Sequence, residues 1–342
     1  MSFIQTAIHA GEAIPWPDGV SQAAINFLCA RTRRRLGALP GDADRAFAEA
    51  MTAFPVALNT QEANDQHYEL PAEFFALMLG PQRKYSSCLY ENGAHTLAEA
   101  EECALATTAE HAALANGQRI LELGCGWGSL SLWMARRYPN ARITAVSNSH
   151  SQRGYILEQA TLRGLSNLDV VTADMNTFTP PGTFDRVVSV EMFEHMANWR
   201  PLLSRIRAAL AEDGRFFMHI FTHRQACYRF AVDDKEDWIA RHFFTGGIMP
   251  SHGLIRCFDD LMTVEAEWRW SGTHYQRTAR QWLENFDRNE EKALAVLRRV
   301  YGADAKLWQR RWRLFFLATA GLFGFDAGRE WGVSHYRLKP RR

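Results

Sequence analysis

One stretch restricts the folds open to this chain more than any other: residues 119–132, RILELGCGWGSLSL. Ile-Leu-Glu-Leu is a short apolar run with one charge, the pattern of a buried parallel strand. Gly124, Gly126 and Gly128 follow at alternate positions, and a helix-like pattern begins at Ser129. Strand, glycine-rich turn and helix in that order is how an open α/β sheet turns backbone N–H groups toward a ligand at its carboxyl edge. Spacing separates this turn from two others. A dinucleotide fingerprint reads G-x-G-x-x-G and a P-loop closes on G-K-[ST]. Here the glycines read G-x-G-x-G without a lysine, and Glu122 precedes them at the strand end, where a carboxylate can meet a cationic ligand group.

The following residues continue the alternation. Strands are expected at 119–123, 142–147, 168–173, 184–190 and 214–221, with a helix over 201–211 that stops at Asp213-Gly214. Strands alternating with helical patterns predict a parallel sheet built by right-handed crossovers, with ligands gathering where strands one to four end. Beyond Phe221 the pattern changes. Residues 222–258 are aromatic-rich and irregular, 262–270 and 330–338 alternate as strands, and 277–301 and 305–324 are helical. Two late strands around a helical insertion predict an antiparallel edge. Upstream, helical patterns run to about residue 80, over 23–28, 42–58 and 72–79. Thr96 with Glu99 three residues on predicts a capping box opening a helix to about Leu114.

The strand ends carry polar groups. Asn148 and Gln152 follow strand two, where neutral hydrogen bonds to ligand hydroxyls are available, and Asp174 ends strand three, where a carboxylate can accept from an amino group. Strand four runs directly into Glu191-Met-Phe-Glu194-His195-Met196. If these residues form a helical turn, Glu191, Glu194 and His195 share one face. Two carboxylates beside an imidazole can bind a cation and move a proton near neutral pH.

The glycine motif with its preceding acid resembles the first motif of Rossmann-like methyltransferases that use S-adenosylmethionine (SAM). More narrowly, YSSCLY, LELGCGWGSLSLW, SNSHSQ, VEMFEHM, FFTGGIMPS, HYQRT and EW with a closing HYRLKP resemble the coclaurine N-methyltransferase branch of the cyclopropane-fatty-acid synthase superfamily. The resemblance covers about Tyr85 to the C-terminus. It implies an α/β fold: a Rossmann-like class I methyltransferase sheet, a helical N-terminal extension over 1–84, and a methyltransferase domain over 85–342 whose 222–325 part includes a helical substrate-binding lid. It implies SAM as cofactor, held by Tyr85, Ser86, Glu122, Gly124, Gly126, Gly128, Asn148, Gln152, Asp174, Met175 and Val190. Glu191, Glu194 and His195 then lie at the methyl-transfer site, with no metal. Trp238, Phe243, Phe244, Trp308 and Trp312 are candidate walls of an aromatic pocket for a cationic substrate. The implied reaction is N-methylation of a small aromatic or alkaloid-like amine. The alternative is C-methylation or cyclopropanation of phospholipid acyl chains. Cyclopropane synthases resemble Tyr-Ser-Cys at the first stretch, where this chain has Ser87, and place a tyrosine in the penultimate long helix. No tyrosine lies between Tyr301 and Tyr336, and both departures favour the amine.

Composition excludes other classes. A net charge of +1 offers no basic groove for nucleic acid. The six cysteines show no C-x-x-C pair or metal-ligand spacing and read as reduced thiols, hence a cytoplasmic protein. The N-terminus lacks the basic start and continuous apolar stretch of a signal peptide. The longest apolar run, residues 314–325, is too short to span a bilayer. The reading leaves room for a homodimer.

Overall fold

The computed structural model describes residues 16–58, 70–230 and 238–341. Parts of the expected N-terminal extension, at 1–15 and 59–69, and of the expected lid, at 231–237, lie outside the described residues. Seven strands form one sheet: β1 (Arg119–Leu123), β2 (Arg142–Ser147), β3 (Leu168–Thr172), β4 (Phe184–Val190), β5 (Leu210–His223), β8 (Met262–Ser271) and β9 (Trp331–Pro340). Two more, β6 (Tyr228–Arg229) and β7 (Ile248–Met249), pair as a small antiparallel ribbon. The large sheet runs β3-β2-β1-β4-β5-β9-β8. β1 to β5 are parallel, and β9 is antiparallel to both of its neighbours. This is the class I methyltransferase sheet.

Strand periodicity assigns the two faces. Val187 and Phe216 point into a core shared with Trp199, Leu203 and Ile206 of the helix Trp199–Ala209. Their neighbours Val188 and Phe217 point to the opposite face, against the helices Leu97–His111, Ser129–Arg137 and His150–Leu162. Thr96 caps the first of these with Glu99 in a complete capping box. A third core joins the helices Ala72–Met78, Gly272–Arg288, Glu290–Tyr301 and Ala305–Gly324. The last three connect β8 to β9, and β8 ends at the carboxyl edge of the parallel strands. The insertion therefore stands over that edge, where the strand order reverses between β1 and β4 and a ligand crevice opens.

Two expected helices divide or shorten. Residues 277–301 are not one helix: it breaks at Asn289, whose amide nitrogen donates to Leu77 O and Asn285 O at 3.0 Å each. Residues 42–58 are helical only as Ala43–Met51. Pro55 lacks the N–H a longer helix needs, and the chain runs on extended, with Ala57 bridging Met196. The basic run at Arg33, Arg34 and Arg35 is an exposed helix end. The six cysteines are all unpaired. Among the described residues, no helix is long and apolar enough to cross a membrane.

Candidate active site

A single cavity at the carboxyl edge gathers the ends of β1, β2, β3 and β4. Of the residues singled out for a cofactor, Tyr85, Ser86, Glu122, Gly124, Gly126, Asn148, Gln152, Asp174, Met175 and Val190 line it. Gly128 does not. It opens the helix Ser129–Arg137 in a left-handed conformation, and a Cβ there would strike Ile156 at 2.6 Å.

The other two glycines of the motif also differ. Gly124 has φ +78°, and a Cβ on it would meet Met192 at 2.7 Å, so it serves the close passage of the EMFEHM segment. Gly126, at φ +52°, would meet no protein atom within 4 Å. That open cradle is where backbone can approach a ligand. Around it, Ser129 Oγ, Trp127 Nε1 and Thr108 Oγ1 are buried with no hydrogen-bond partner among the described residues, and all three residues line the cavity. Arg83 lines it too, with Nε unpartnered among the described residues. Buried unpaired donors are costly, and here they complement an anionic carboxylate. Glu122 supplies the opposite sign: it accepts from Ser131 Oγ at 2.5 Å, and burial pushes its carboxyl up to about 8. A zwitterionic amino-acid end fits this donor set, so the residues present suit SAM.

Gln152 is buried rather than solvated, with Oε1 accepting from Ser147 Oγ at 2.7 Å. Asp174 both lines the cavity and caps its own turn, accepting from the Asn176 N–H at 2.8 Å.

The EMFEHM segment is not one helical face. Only Phe193–His195 forms a single 3-10 turn, and Glu191 precedes it at φ +48°. Left-handed backbone at a non-glycine residue costs about 1–3 kcal/mol. The kink delivers the Glu191 carboxylate to three donors. Oε1 accepts from Ser87 N–H at 2.8 Å and lies 3.2 Å from His219 Nε2, and Oε2 accepts from Tyr275 O–H at 2.8 Å. Burial raises the Glu191 carboxyl, opposed by the Lys84 ammonium, the Ser87 N–H and the Tyr275 hydroxyl. Glu194 is fully buried behind the cavity and is not part of its lining. Its Oε1 accepts from Phe221 N–H at 2.6 Å and its Oε2 has no partner among the described residues. Burial, then the neighbouring Glu191, hold its carboxyl well above the usual range. Two carboxyls so placed disfavour ionising together, and the donors around Glu191 favour the charged form there. His195 faces the cavity and stacks on Phe244, centroids 4.5 Å apart. Burial lowers its imidazole to about 4, so it is neutral at pH 7.

Of the five expected aromatic walls, only Phe244 lines the cavity. Trp312 is fully buried in the core, 5.1 Å from Phe74 and from Phe243. Trp238 packs on Phe243. Trp308 stacks on Tyr301 at 4.5 Å, with the Arg311 guanidinium 5.0 Å from its ring centre. Phe221, Tyr275, Trp282 and Phe315 form the wall instead. Phe315 lies one turn beyond Trp312 and faces the cavity from the same helix. Leu58, from the N-terminal segment, also contributes.

Tyr275 corrects a second expectation. The Ala305–Gly324 helix has no tyrosine, yet the site does, delivered by the Gly272–Arg288 helix. The HYQRT stretch carried that signal, because it holds Tyr275 itself. The serine at position 87 stands: its side chain is buried, with Oγ donating to Cys88 O at 3.3 Å, and it serves Glu191 through its backbone. FFTGGIMPS also has a physical reason. A Cβ on Gly247 would meet Glu194 O at 3.1 Å and the Phe244 ring at 2.7 Å, so this segment passes tightly over the EMFEHM turn.

With this geometry in place, comparison with known proteins is direct. Residues 57–326 match the model of the family described as mycolic acid cyclopropane synthetase. (S)-coclaurine N-methyltransferase of Thalictrum flavum subsp. glaucum is 37% identical over 291 residues, covering 84% of this chain and 81% of that protein. Cyclopropane-fatty-acyl-phospholipid synthase of Escherichia coli (strain K12) is 28% identical over 260 residues, covering 75% of this chain and 63% of that protein. A crystal structure of coclaurine N-methyltransferase bound to N-methylheliamine and S-adenosylhomocysteine (SAH) superposes with a TM-score of 0.94. It is 32% identical and covers 99% of this chain and 100% of that one.

Proposed function

The chain belongs to the mycolic acid cyclopropane synthetase family, and from that premise we propose that it N-methylates a small aromatic, alkaloid-like amine. It is a SAM-dependent methyltransferase. The observation that carries the amine reading is the buried Glu191 carboxyl, accepting from Ser87 N–H and Tyr275 O–H, beside a neutral His195 and an aromatic wall. That site attracts an ammonium and disfavours keeping it charged. (S)-coclaurine N-methyltransferases and a pavine N-methyltransferase are among the similar proteins, which supports the same reading. We place the enzyme in the cytoplasm.

Bound SAM supplies an electrophilic methyl for in-line displacement, so the protein's task is largely placement. Gly126 leaves room for the cofactor, and Glu122 meets its ammonium. Ser129, Trp127, Thr108 and Arg83 offer donors to its carboxylate, and Asn148, Gln152 and Asp174 offer polar groups further along the strand ends. Glu191 attracts the substrate ammonium. His195, facing the cavity in its neutral form, accepts the proton that frees the lone pair. Glu194 holds a proton and so keeps the pair at one charge. Phe244, stacked on His195, fixes the ring and excludes water.

Two predictions concern the cofactor. Gly126→Asn tolerates the left-handed backbone but fills the cradle. SAM affinity should fall by about ten- to hundredfold, matching the cost of overpacking, with the thermal midpoint nearly unchanged. Unaltered affinity by calorimetry would remove Gly126 from the cofactor site. Gly124→Val is the poorer probe, since it strikes Met192 and disturbs the fold. Glu122, with its carboxyl near 8, is mostly protonated at pH 7. An ammonium beside it favours the ionised form, so SAM binding should release a proton and tighten as pH rises from about 6 to about 8. Calorimetry in buffers of different ionisation heat measures this, and the absence of proton release would count against the pairing.

The amine reading is tested by titrating a tetrahydroisoquinoline into the SAH complex. Saturable binding with proton release is expected. Binding of monounsaturated phospholipid vesicles and not of the amine would favour the acyl-chain alternative.

A further inference from the structure

We propose that Lys84 is a positioning residue for Glu191: its buried ammonium holds Ser87 by the carbonyl and keeps the Glu191 carboxylate charged, an inference that rests on the amine reading above. Lys84 is buried, and its Nζ donates to Ser87 O at 2.6 Å and to Ser86 Oγ at 2.5 Å. Ser87 is wholly buried, and its own N–H donates to Glu191 Oε1 at 2.8 Å. Both backbone polar groups of one residue are thus engaged, the carbonyl by a cation and the N–H by an anion.

The turn that delivers Lys84 is tightly built. Arg83 precedes it at φ +56°, in the left-handed region. Glu101, on the helix Leu97–His111, is wholly buried and accepts from Gln82 N–H at 2.8 Å and from Lys84 N–H at 3.2 Å. A Cβ on Gly80 would meet the Glu101 carboxyl at 2.5 Å, so the chain passes directly over it. Beyond Ser87, Cys88 N–H donates to Thr278 Oγ1 and Tyr90 N–H to His274 Nδ1, each at 3.1 Å. Both acceptors lie on the helix Gly272–Arg288, which carries Tyr275 to Glu191. Residues 80–90 therefore run from the cofactor wall, at Tyr85 and Ser86, to the frame around Glu191.

The shape of the turn does not by itself call for an ammonium. Taking one out of water is costly, and a neutral donor would satisfy Ser87 O at less cost. What the charge adds is compensation. Burial opposes ionisation of Glu191, and Lys84 counters it most, ahead of the Ser87 N–H, the Tyr275 hydroxyl and His195. Burial, then Glu191, hold the neighbouring Glu194 carboxyl well above the usual range. Burial, then Lys84, hold His219 well below its usual value, so that ring meets Glu191 in its neutral form. Lys84 is itself lowered by burial, and Cys88, Glu191 and Glu101 oppose this. Burial pushes the Cys88 thiol up and raises Glu101 to about 7. The thiol is therefore neutral, and the two carboxylates are the anions that hold the charge on Lys84. A carboxylate already charged before the amine arrives is what attracts an ammonium, and Lys84 keeps Glu191 in that state between turnovers.

Two substitutions in the full chain separate charge from hydrogen bond. Lys84→Gln keeps a donor, one atom shorter, and removes the charge. Lys84→Met removes both. The first readout needs no turnover: carbon-13 NMR of the SAH complex with labelled glutamate, the Glu191 carboxyl signal being assigned by its loss in Glu191→Gln. Its titration midpoint should rise by about one pH unit or more in both variants. An unchanged midpoint in either one would overturn the proposal and leave Lys84 an anchor of the turn. The second readout uses an amine that the unaltered enzyme methylates. In Lys84→Gln, kcat/KM at pH 7 should fall about tenfold, the counterpart of a one-unit shift, and recover as the pH is raised, with SAM affinity little changed. The double variant Lys84→Gln with Glu191→Gln should be at least as active as Glu191→Gln alone, because the charge has lost the group it acts through. A further loss in the double variant would show that Lys84 acts independently of Glu191 and overturn the link. A raised midpoint in a protein that methylates no amine overturns the amine reading alone.

Discussion

Glu191→Gln is expected to lower turnover at pH 7 by about 10²–10⁴-fold while SAM affinity stays close to that of the unaltered enzyme. The substitution keeps the shape and removes the charge. The amide nitrogen is a donor, so it cannot serve Ser87 N–H, His219 and Tyr275 as the carboxylate does. One buried donor is left unpaired, at a cost of about 1–3 kcal/mol. The amine should bind more weakly as well, because the negative charge that attracts it is gone. Glu194 also responds. Its carboxyl is held high partly by its neighbour, and neutralising that neighbour lets it ionise more readily. Residual activity should therefore rise with pH, because an ionised Glu194 restores one negative charge to the pair. Turnover and amine affinity equal to the unaltered enzyme would remove Glu191 from the site's chemistry.

His195→Ala should cost about 10²-fold or more in kcat at pH 7, again with SAM affinity little changed. The imidazole is neutral down to about 4, so its own titration does not shape the rate near neutrality. What titrates there is the substrate ammonium. Raising the pH should recover part of the lost rate, because more amine arrives with its lone pair free. Removing the ring also unstacks Phe244. His195→Gln, which refills part of the space without a comparable base, separates the two effects: a proton acceptor is lost in both variants, packing mainly in the first. Full activity in His195→Gln would leave the ring a packing role only.

The strands of the parallel sheet were legible because buried parallel strands read as continuous apolar runs of fixed length. Residues 119–123, 142–147 and 184–190 form β1, β2 and β4 with those bounds. The glycine turn and EMFEHM were legible as motifs, but their geometry was not. Nothing local to Glu191 announces a left-handed residue. It arises because the Glu191 N–H continues the ladder to His219 O while the next residues turn into the 3-10 helix. Tyr275 and His219 reach the same carboxylate from 84 and 28 residues away, and the partner of His219 lies 116 residues further on. Such contacts are set by sheet order and helix docking, which a single sequence does not encode locally. The lining of the cavity differs from the expected aromatic wall for the same reason. Trp312 and Phe315 belong to one amphipathic helix, and only packing against Phe74 and Phe75 decides which of them turns away from the cavity.

The central claim is that a neutralised amine, and not a lipid double bond, accepts the methyl. The most direct measurement places a tetrahydroisoquinoline and monounsaturated phospholipid vesicles in one tube with methyl-labelled SAM, and follows both by mass spectrometry. The label should appear on the amine nitrogen, faster as pH rises toward the amine's own pKa, and be lost in Glu191→Gln. Label in the acyl chains with none on the amine would contradict it.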